Sequence, residues 1–294
     1  MKSSTDERQD PADSFEPHRP LLTGLAYRMV GSIAEAEDAV QEAYLRWHGV
    51  ERSKVENPRA FLCRTVTRLC LDHLNSARVR REQYVGPWLP EPIVDKESSA
   101  EDDADELAAD VSMALMVALQ RLSPLERAAF LLHDVFNVDF KSIAEALGRD
   151  DAACRQLASR AREHIRAARP RFKPKQADVE RLVGAFLQAV GSKDVNALTQ
   201  LLREDAIMHS DGGGKIRAAL NPIYGRDKII RFLLAQIPPP SELRVRRVRI
   251  NGTPGVIIDQ ASRRDVISFD VQDGVLSGIF VVCNPDKLQN IKPW

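Results

Sequence analysis

Arg155, Ser159, Arg162 and Arg166 recur along one stripe near the middle of the chain, with Gln156 and Arg160 beside them and Arg149 just ahead. Arginine and glutamine can each form paired hydrogen bonds to base edges, and arginine also neutralises phosphate, so this set points to recognition of duplex nucleic acid. A second set, Asp38, Gln41, Glu42 and Arg46, clusters at helical spacing as a polar outward face, which by itself reads as an ordinary solvated one. A third is almost purely cationic: Arg59, Arg64, Arg68, Arg78, Arg80 and Arg81 stand against the single Asp72. Acid–base chemistry has weaker markers. His209, Asp211, Tyr224, Asp259 and Asp270 are the polar candidates, and no two of them have a spacing that demands shared chemistry. Cys63, Cys70, Cys154 and Cys283 are scattered, without a CxxC pair or a histidine at ligand spacing, so they read as reduced thiols and no metal or cofactor is expected.

The first set needs a helix-turn-helix to present it, and the stretch from Phe140 to Arg166 reads as one. Phe140, Ile143, Ala144 and Leu147 make one apolar face, Gly148 follows as a stop, and Asp150 or Asp151 can cap the next helix. That second helix buries Cys154, Leu157, Ala158, Ala161 and Ile165 and leaves its arginines outward. Ser123-Pro124-Leu125-Glu126 opens the preceding helix as a capping box.

The second and third sets fall in an earlier helical domain. One amphipathic helix carries Leu22, Leu25, Ala26 and Met29 and stops at Gly31. Ser32 and Glu35 cap the next, which spans about Ile33 to Trp47 and buries Ala36, Val40, Ala43 and Trp47. Asn57-Pro58 starts a third helix, which runs into the basic tail Arg78-Val79-Arg80-Arg81. A proline-containing linker follows, with the acidic run Glu91, Asp95, Glu97, Glu101, Asp102, Asp103, Asp105, Glu106 and Asp110. Net charge is zero, with 42 basic and 42 acidic residues, and this sum hides two basic surfaces joined by an acidic tether. Trp88 and Leu89 sit in that linker without an amphipathic pattern of their own, as apolar groups in need of a surface.

After Lys175 the pattern changes to helices at about Asp178 to Val190, Val195 to Leu202 and Arg226 to Ile237, with a short strand around Ala206 to Ser210. The remainder (LRVRRVRI, PGVIIDQA, DVISFDVQ, VLSGIFVVC) alternates and is β-branched, which indicates an α+β domain with an antiparallel sheet. The polar, acidic N-terminus reads as neither a secretory signal nor a transit peptide, and no apolar run approaches the roughly 20 residues of a membrane span. A cytoplasmic protein without a membrane partner is expected.

The helix DAVQEAYLRW resembles the core-polymerase-binding helix of bacterial sigma factors of the extracytoplasmic-function group. Trp88, Leu89, Pro90, Glu91 and Pro92 (WLPEP), Asp211, Gly212, Gly213, Gly214 and Lys215 (DGGGK), and Asn284, Pro285, Asp286, Lys287 and Leu288 (NPDKL) resemble three signatures of one subgroup of that family. Its members carry a C-terminal SnoaL-like domain of the cone-shaped NTF2-like fold. The resemblance implies a multidomain chain: a disordered lead-in over 1–16, an all-α sigma region 2 over 17–86, the linker over 87–110, an all-α sigma region 4 over 111–172, and an α+β NTF2-like regulatory domain over 173–294. Its implied partners are core RNA polymerase, at the β′ clamp and the β flap, and promoter DNA.

On that basis Asp38, Gln41, Glu42 and Arg46 face the polymerase. Arg59, Arg64, Arg68, Arg78, Arg80 and Arg81 approach the non-template strand of the −10 element, and the loop from His48 to Glu56 meets unpaired bases, although it has no aromatic residue to stack on them. Trp47 and Tyr84 are nearby aromatic candidates. At the −35 duplex, Arg155, Gln156, Ser159 and Arg160 read bases, while Arg149, Arg162 and Arg166 hold phosphates. The three signatures are expected near one interface between the linker and the C-terminal domain. Two alternatives stay open at this point. One is a helix-turn-helix regulator sensing an unidentified small molecule in the C-terminal pocket; the other is a SnoaL-like isomerase or hydrolase with helical appendages.

Overall fold

The computed structural model describes residues 11–95, 111–168, 175–236, 243–260 and 263–291. The acidic run beyond Asp95 and the triple proline 238–240 lie outside the described residues, as do the side chains of Arg78, Arg80 and Arg81. In chain order the helices are α1 (Pro11–Phe15), α2 (Arg19–Val30), α3 (Ile33–His48), α4 (Pro58–Glu82), α5 (Met113–Gln120), α6 (Pro124–Phe130), α7 (Phe140–Leu147), α8 (Asp151–Ala168), α9 (Gln176–Gly191), α10 (Val195–Leu201) and α11 (Arg226–Gln236). The strands are β1 (Leu202–Asp211), β2 (Ile223–Tyr224), β3 (Arg244–Ile250), β4 (Thr253–Asp259), β5 (Arg264–Gln272) and β6 (Val275–Val282). Two compact units emerge, one of residues 1–77 and 122–163, the other of residues 78–121 and 164–294.

In the first unit the helices start where capping side chains satisfy free N–H groups. Ser32 Oγ accepts from the Glu35 N–H, Asn57 Oδ1 from Ala60, and Asp139 Oδ1 from Ser142. Ser123 and Glu126 form the full reciprocal box. Between Asp150 and Asp151, it is Asp150 that caps α8, accepting from the Ala153 N–H at 2.7 Å. Gly148 ends α7 at φ +62°, a conformation that would strain a side chain, and so makes the tight turn between α7 and α8. The end of the expected lead-in over 1–16 is helical. Helix α1 starts at Pro11, Phe15 is fully buried, and Ser14 Oγ accepts from the Trp47 indole at 3.1 Å. A five-residue helix is too short to leave a periodic pattern.

The second unit is built on a six-stranded sheet of order β2-β1-β6-β5-β4-β3. All neighbours are antiparallel except β1 and β6, which run parallel. That corrects the all-antiparallel expectation: the long excursion through β2, α11 and β3–β5 lets the chain return alongside β1 in the same direction. Both faces are covered. Val179, Val183 and Phe186 of α9, Leu198 of α10, and Ile229 and Ile230 of α11 pack on Val256, Phe269, Ile279 and Val281. On the opposite face, Leu89, Met113, Leu288 and Ile291 pack on Ile250, Ile257, Val266, Phe280 and Val282. Strand alternation sends 279 and 281 one way and 280 and 282 the other, so β6 reads as continuously apolar because it is buried on both sides.

The linker is therefore a layer of this unit. Val94 bridges to Ile250, and Ile93 exchanges hydrogen bonds with Asn251, whose side chain also donates to the Val111 carbonyl at 2.9 Å. Helix α5 falls in the span expected for the second helical domain. Its Met113, Ala114 and Val117 nevertheless join the core of the C-terminal unit.

Candidate functional site

Four surfaces carry the residues singled out in the sequence. On α8, Cys154, Leu157, Ala158, Ala161 and Ile165 are buried, which rotates Arg155, Gln156, Ser159, Arg160 and Arg166 to the exposed side; Arg149, in the preceding turn, is also exposed. Arg155 is steadied by Asp151 at 2.8 Å and lies 4.5 Å from the centre of the Phe140 ring. Arg160 reaches Glu126 at 3.2 Å. Arg162 departs from its expected place among the phosphate contacts. It is half-buried and bonded to Asp134 at 2.6 Å, so it ties α8 to the turn that follows α6.

On α3, Asp38, Gln41 and Arg46 are exposed, and Glu42 is half-exposed and bridged to Arg46 at 2.9 Å. Leu45 stands in the same outward register with 59% of its surface exposed, an apolar centre in a polar face. The sequence reading missed it. Its signal was a leucine four residues from Gln41, on the side away from Val40 and Ala43. Trp47 is core, packed on Phe61 and bonded to Ser14.

On α4, three arginines are engaged with the helix-turn-helix of the same unit. Arg59 donates to the Phe136 carbonyl at 2.8 Å, Arg64 to the Glu145 carboxylate at 2.7 Å, and Arg68 to the carbonyls of Ala146, at 3.0 Å, and Glu145. Three of the six arginines expected to meet DNA are thus bonded to protein oxygens.

The fourth surface brings together the three short signatures around one carboxylate. Asp211 is fully buried at the end of β1. It accepts from the Tyr84 hydroxyl, the Leu89 N–H at 2.8 Å, the Gly213 N–H at 3.1 Å and Lys287 Nζ at 2.8 Å. Lys287 also donates to the Leu89 carbonyl and lies 3.9 Å from the centre of the Trp88 ring, a cation–π contact. Asn284 donates to the Tyr84 hydroxyl at 2.8 Å, and Lys215 pairs with Asp286 at 2.7 Å on the surface.

A buried ion pair persists only when its remaining lone pairs and protons are satisfied, and here four donors converge on one carboxylate. Burial and the adjoining Asp211 carboxylate push the Tyr84 phenol well above its ordinary range, so it stays a hydrogen-bond donor. The glycines of DGGGK follow from the close approach. A Cβ on Gly212 would lie 2.2 Å from the Ile216 carbonyl oxygen, and one on Gly213, at φ +59°, 2.3 Å from the Asn284 amide nitrogen. Tyr84 was seen in the sequence only as an aromatic near the −10 surface; nothing in its local spacing pointed to Asp211, 127 residues away.

The acid–base candidates each have separate engagements. His209 is largely buried against Phe280, with ring centres 5.7 Å apart, and burial followed by the nearby Arg121 charge pushes its pKa down to about 4. Asp259 pairs with Arg264 at 2.5 Å, Asp270 accepts from Ser277 and Gln272, and Tyr224 is exposed. Among the described residues, no helix is long and apolar enough to cross a membrane.

Residues 15–80 match the family described as Sigma-70 region 2, and residues 112–165 match Sigma-70, region 4. The chain is 39% identical to the ECF RNA polymerase sigma factor SigJ of Mycobacterium tuberculosis, over 93% of this chain and 91% of that one. It is 31% identical to a probable ECF RNA polymerase sigma factor, SigI, of the same species, over 97% of each. The crystal structure of the M. tuberculosis SigJ protein superimposes with a TM-score of 0.75 at 35% identity, covering 95% of this chain and 98% of the other.

Proposed function

The chain belongs to the extracytoplasmic-function RNA polymerase sigma factors, and from that premise we propose how its surfaces divide the work of promoter-specific initiation with core RNA polymerase. The α3 face of Asp38, Gln41, Glu42 and Arg46, centred on Leu45, docks on the β′ clamp, and the region 4 helices dock on the β flap. Helix α4 with its basic tail meets the −10 non-template strand. Helix α8 enters the −35 major groove, where Arg155, Gln156, Ser159 and Arg160 reach base edges while Arg149 and Arg166 hold phosphates. The protein acts in the cytoplasm, where the polymerase is.

The C-terminal domain regulates this activity rather than catalysing a reaction. The observation that carries this reading is the Asp211–Lys287 pair closing over Trp88 and Leu89. It fixes the segment that follows region 2 onto the domain that follows region 4.

Run-off transcription from the chain's own upstream region, with core polymerase and either wild type or Lys287→Met, tests both parts. Promoter-dependent transcripts whose yield changes in the variant are expected. No transcript, with no binding to core polymerase, would overturn the assignment of surfaces; equal yields would overturn the regulatory role.

A further inference from the structure

The last carbonyls of a helix have no partners inside it and carry the negative end of its dipole. In α7 two of these, on Glu145 and Ala146, receive the guanidinium of Arg68, while the Glu145 carboxylate receives Arg64. Arg59 closes on the Phe136 carbonyl nearby. A helix end with one added carboxylate thus offers α4 a short row of negative oxygens, which is also what a nucleic-acid backbone offers.

We propose that the arginine row of α4 is an anion site with two alternating occupants, the C-terminal end of α7 in the free chain and the DNA phosphate backbone in the initiation complex. Glu145 is the stand-in for a phosphate. The proposal rests on reading α4 as the −10 surface. It follows from geometry as well as charge. Elements named for positions −10 and −35 lie about 25 base pairs apart, about 85 Å of duplex at about 3.4 Å per step. Helix α4 and the helix-turn-helix, here in direct hydrogen-bond contact, cannot reach both at once, so the contact must break.

The contact is built to be displaced. The Arg64 and Glu145 side chains are 31% and 53% exposed, and ion pairs at such exposure are weak and screened by salt. Opening also has to free Arg127, which is buried and donates to the Met29 carbonyl of α2. The arginine row therefore sets the balance of opening.

The test uses the full chain in two arms. Cysteines placed at the exposed positions Asn75 of α4 and Lys141 of α7 carry spin labels, because the four native cysteines are buried. Their distance distribution is compared in wild type, Glu145→Ala and Arg68→Ala without DNA. The same proteins, unlabelled, are titrated with a −10 fork DNA fragment that lacks upstream duplex. Both variants should populate longer distances. Glu145→Ala should bind the fork about threefold more tightly than wild type, since more of it is binding-competent, while Arg68→Ala should bind more weakly. Unchanged distances in both variants would overturn the closure. Equal fork affinity of wild type and Glu145→Ala, or no binding by either, would overturn DNA as the second occupant. Arg68→Ala binding as tightly as wild type would instead remove α4 from the −10 assignment itself.

Discussion

Asp211 and Lys287 illustrate how much one buried pair can hold. Their side chains are 0% and 8% exposed, so neither charge has water to fall back on. Removing one partner of such a pair typically costs about 3–5 kcal/mol, because the other charge is left buried and alone. Lys287→Met should therefore lower the urea midpoint of the C-terminal unit strongly. Adding Asp211→Asn should recover part of the loss, which a double-mutant cycle would read as a coupling energy.

His209 makes a different residue-scale prediction. Its folded pKa of about 4 lies below the 6.5 of a free imidazole, so between those values the unfolded chain binds the extra proton. Stability is then fully present above about pH 6.5 and falls as the pH drops towards 4, by at most about 3 kcal/mol. A His209→Phe variant should lose less thermal stability than wild type between pH 7 and pH 5. An equal loss in both would assign the acid sensitivity to the carboxylates.

At the scale of elements, what could be read in the sequence divides by the range of the interactions that made each one. The helix-turn-helix was legible because its apolar spacing, its Gly148 stop and its Asp150 cap all act within a few residues. The buried face of α3 followed for the same reason. The parallel pairing of β1 with β6 did not, nor did the two-residue β2, because both depend on partners far along the chain. The expectation that WLPEP, DGGGK and NPDKL lie near one interface came from family resemblance, and the structure supplies the chemistry that joins them.

That chemistry leaves the DGGGK turn little freedom. Gly213 sits at φ +59° with the Asn284 amide where a Cβ would stand, so Gly213→Ala meets a conformational and a steric penalty together. Hydrogen exchange at the Leu89 amide, which donates to Asp211, should quicken in this variant. Unchanged protection at Leu89 would mean that the linker is held by its apolar packing alone.

At the scale of the whole molecule, the linker belongs to the C-terminal unit. It leaves α4, crosses the C-terminal sheet through Trp88, Leu89 and Val94, and leads into α5, whose Met113 packs on that same sheet. The chain between region 2 and region 4 is thereby tied to the C-terminal domain at both its ends. On the regulatory reading proposed above, this tie governs how region 2 and region 4 act at a promoter, while docking on core polymerase belongs to the α3 face. Trp88→Ala removes the ring beside Lys287 and loosens the tie, leaving Asp38, Gln41, Glu42 and Arg46 as they are. Promoter-dependent transcription by the reconstituted holoenzyme should therefore change, while affinity for core polymerase, measured by titration of labelled chain, stays within about twofold. A drop in core affinity would show that the linker contact supports polymerase docking itself, and the division of labour between α3 and the C-terminal domain would have to be redrawn.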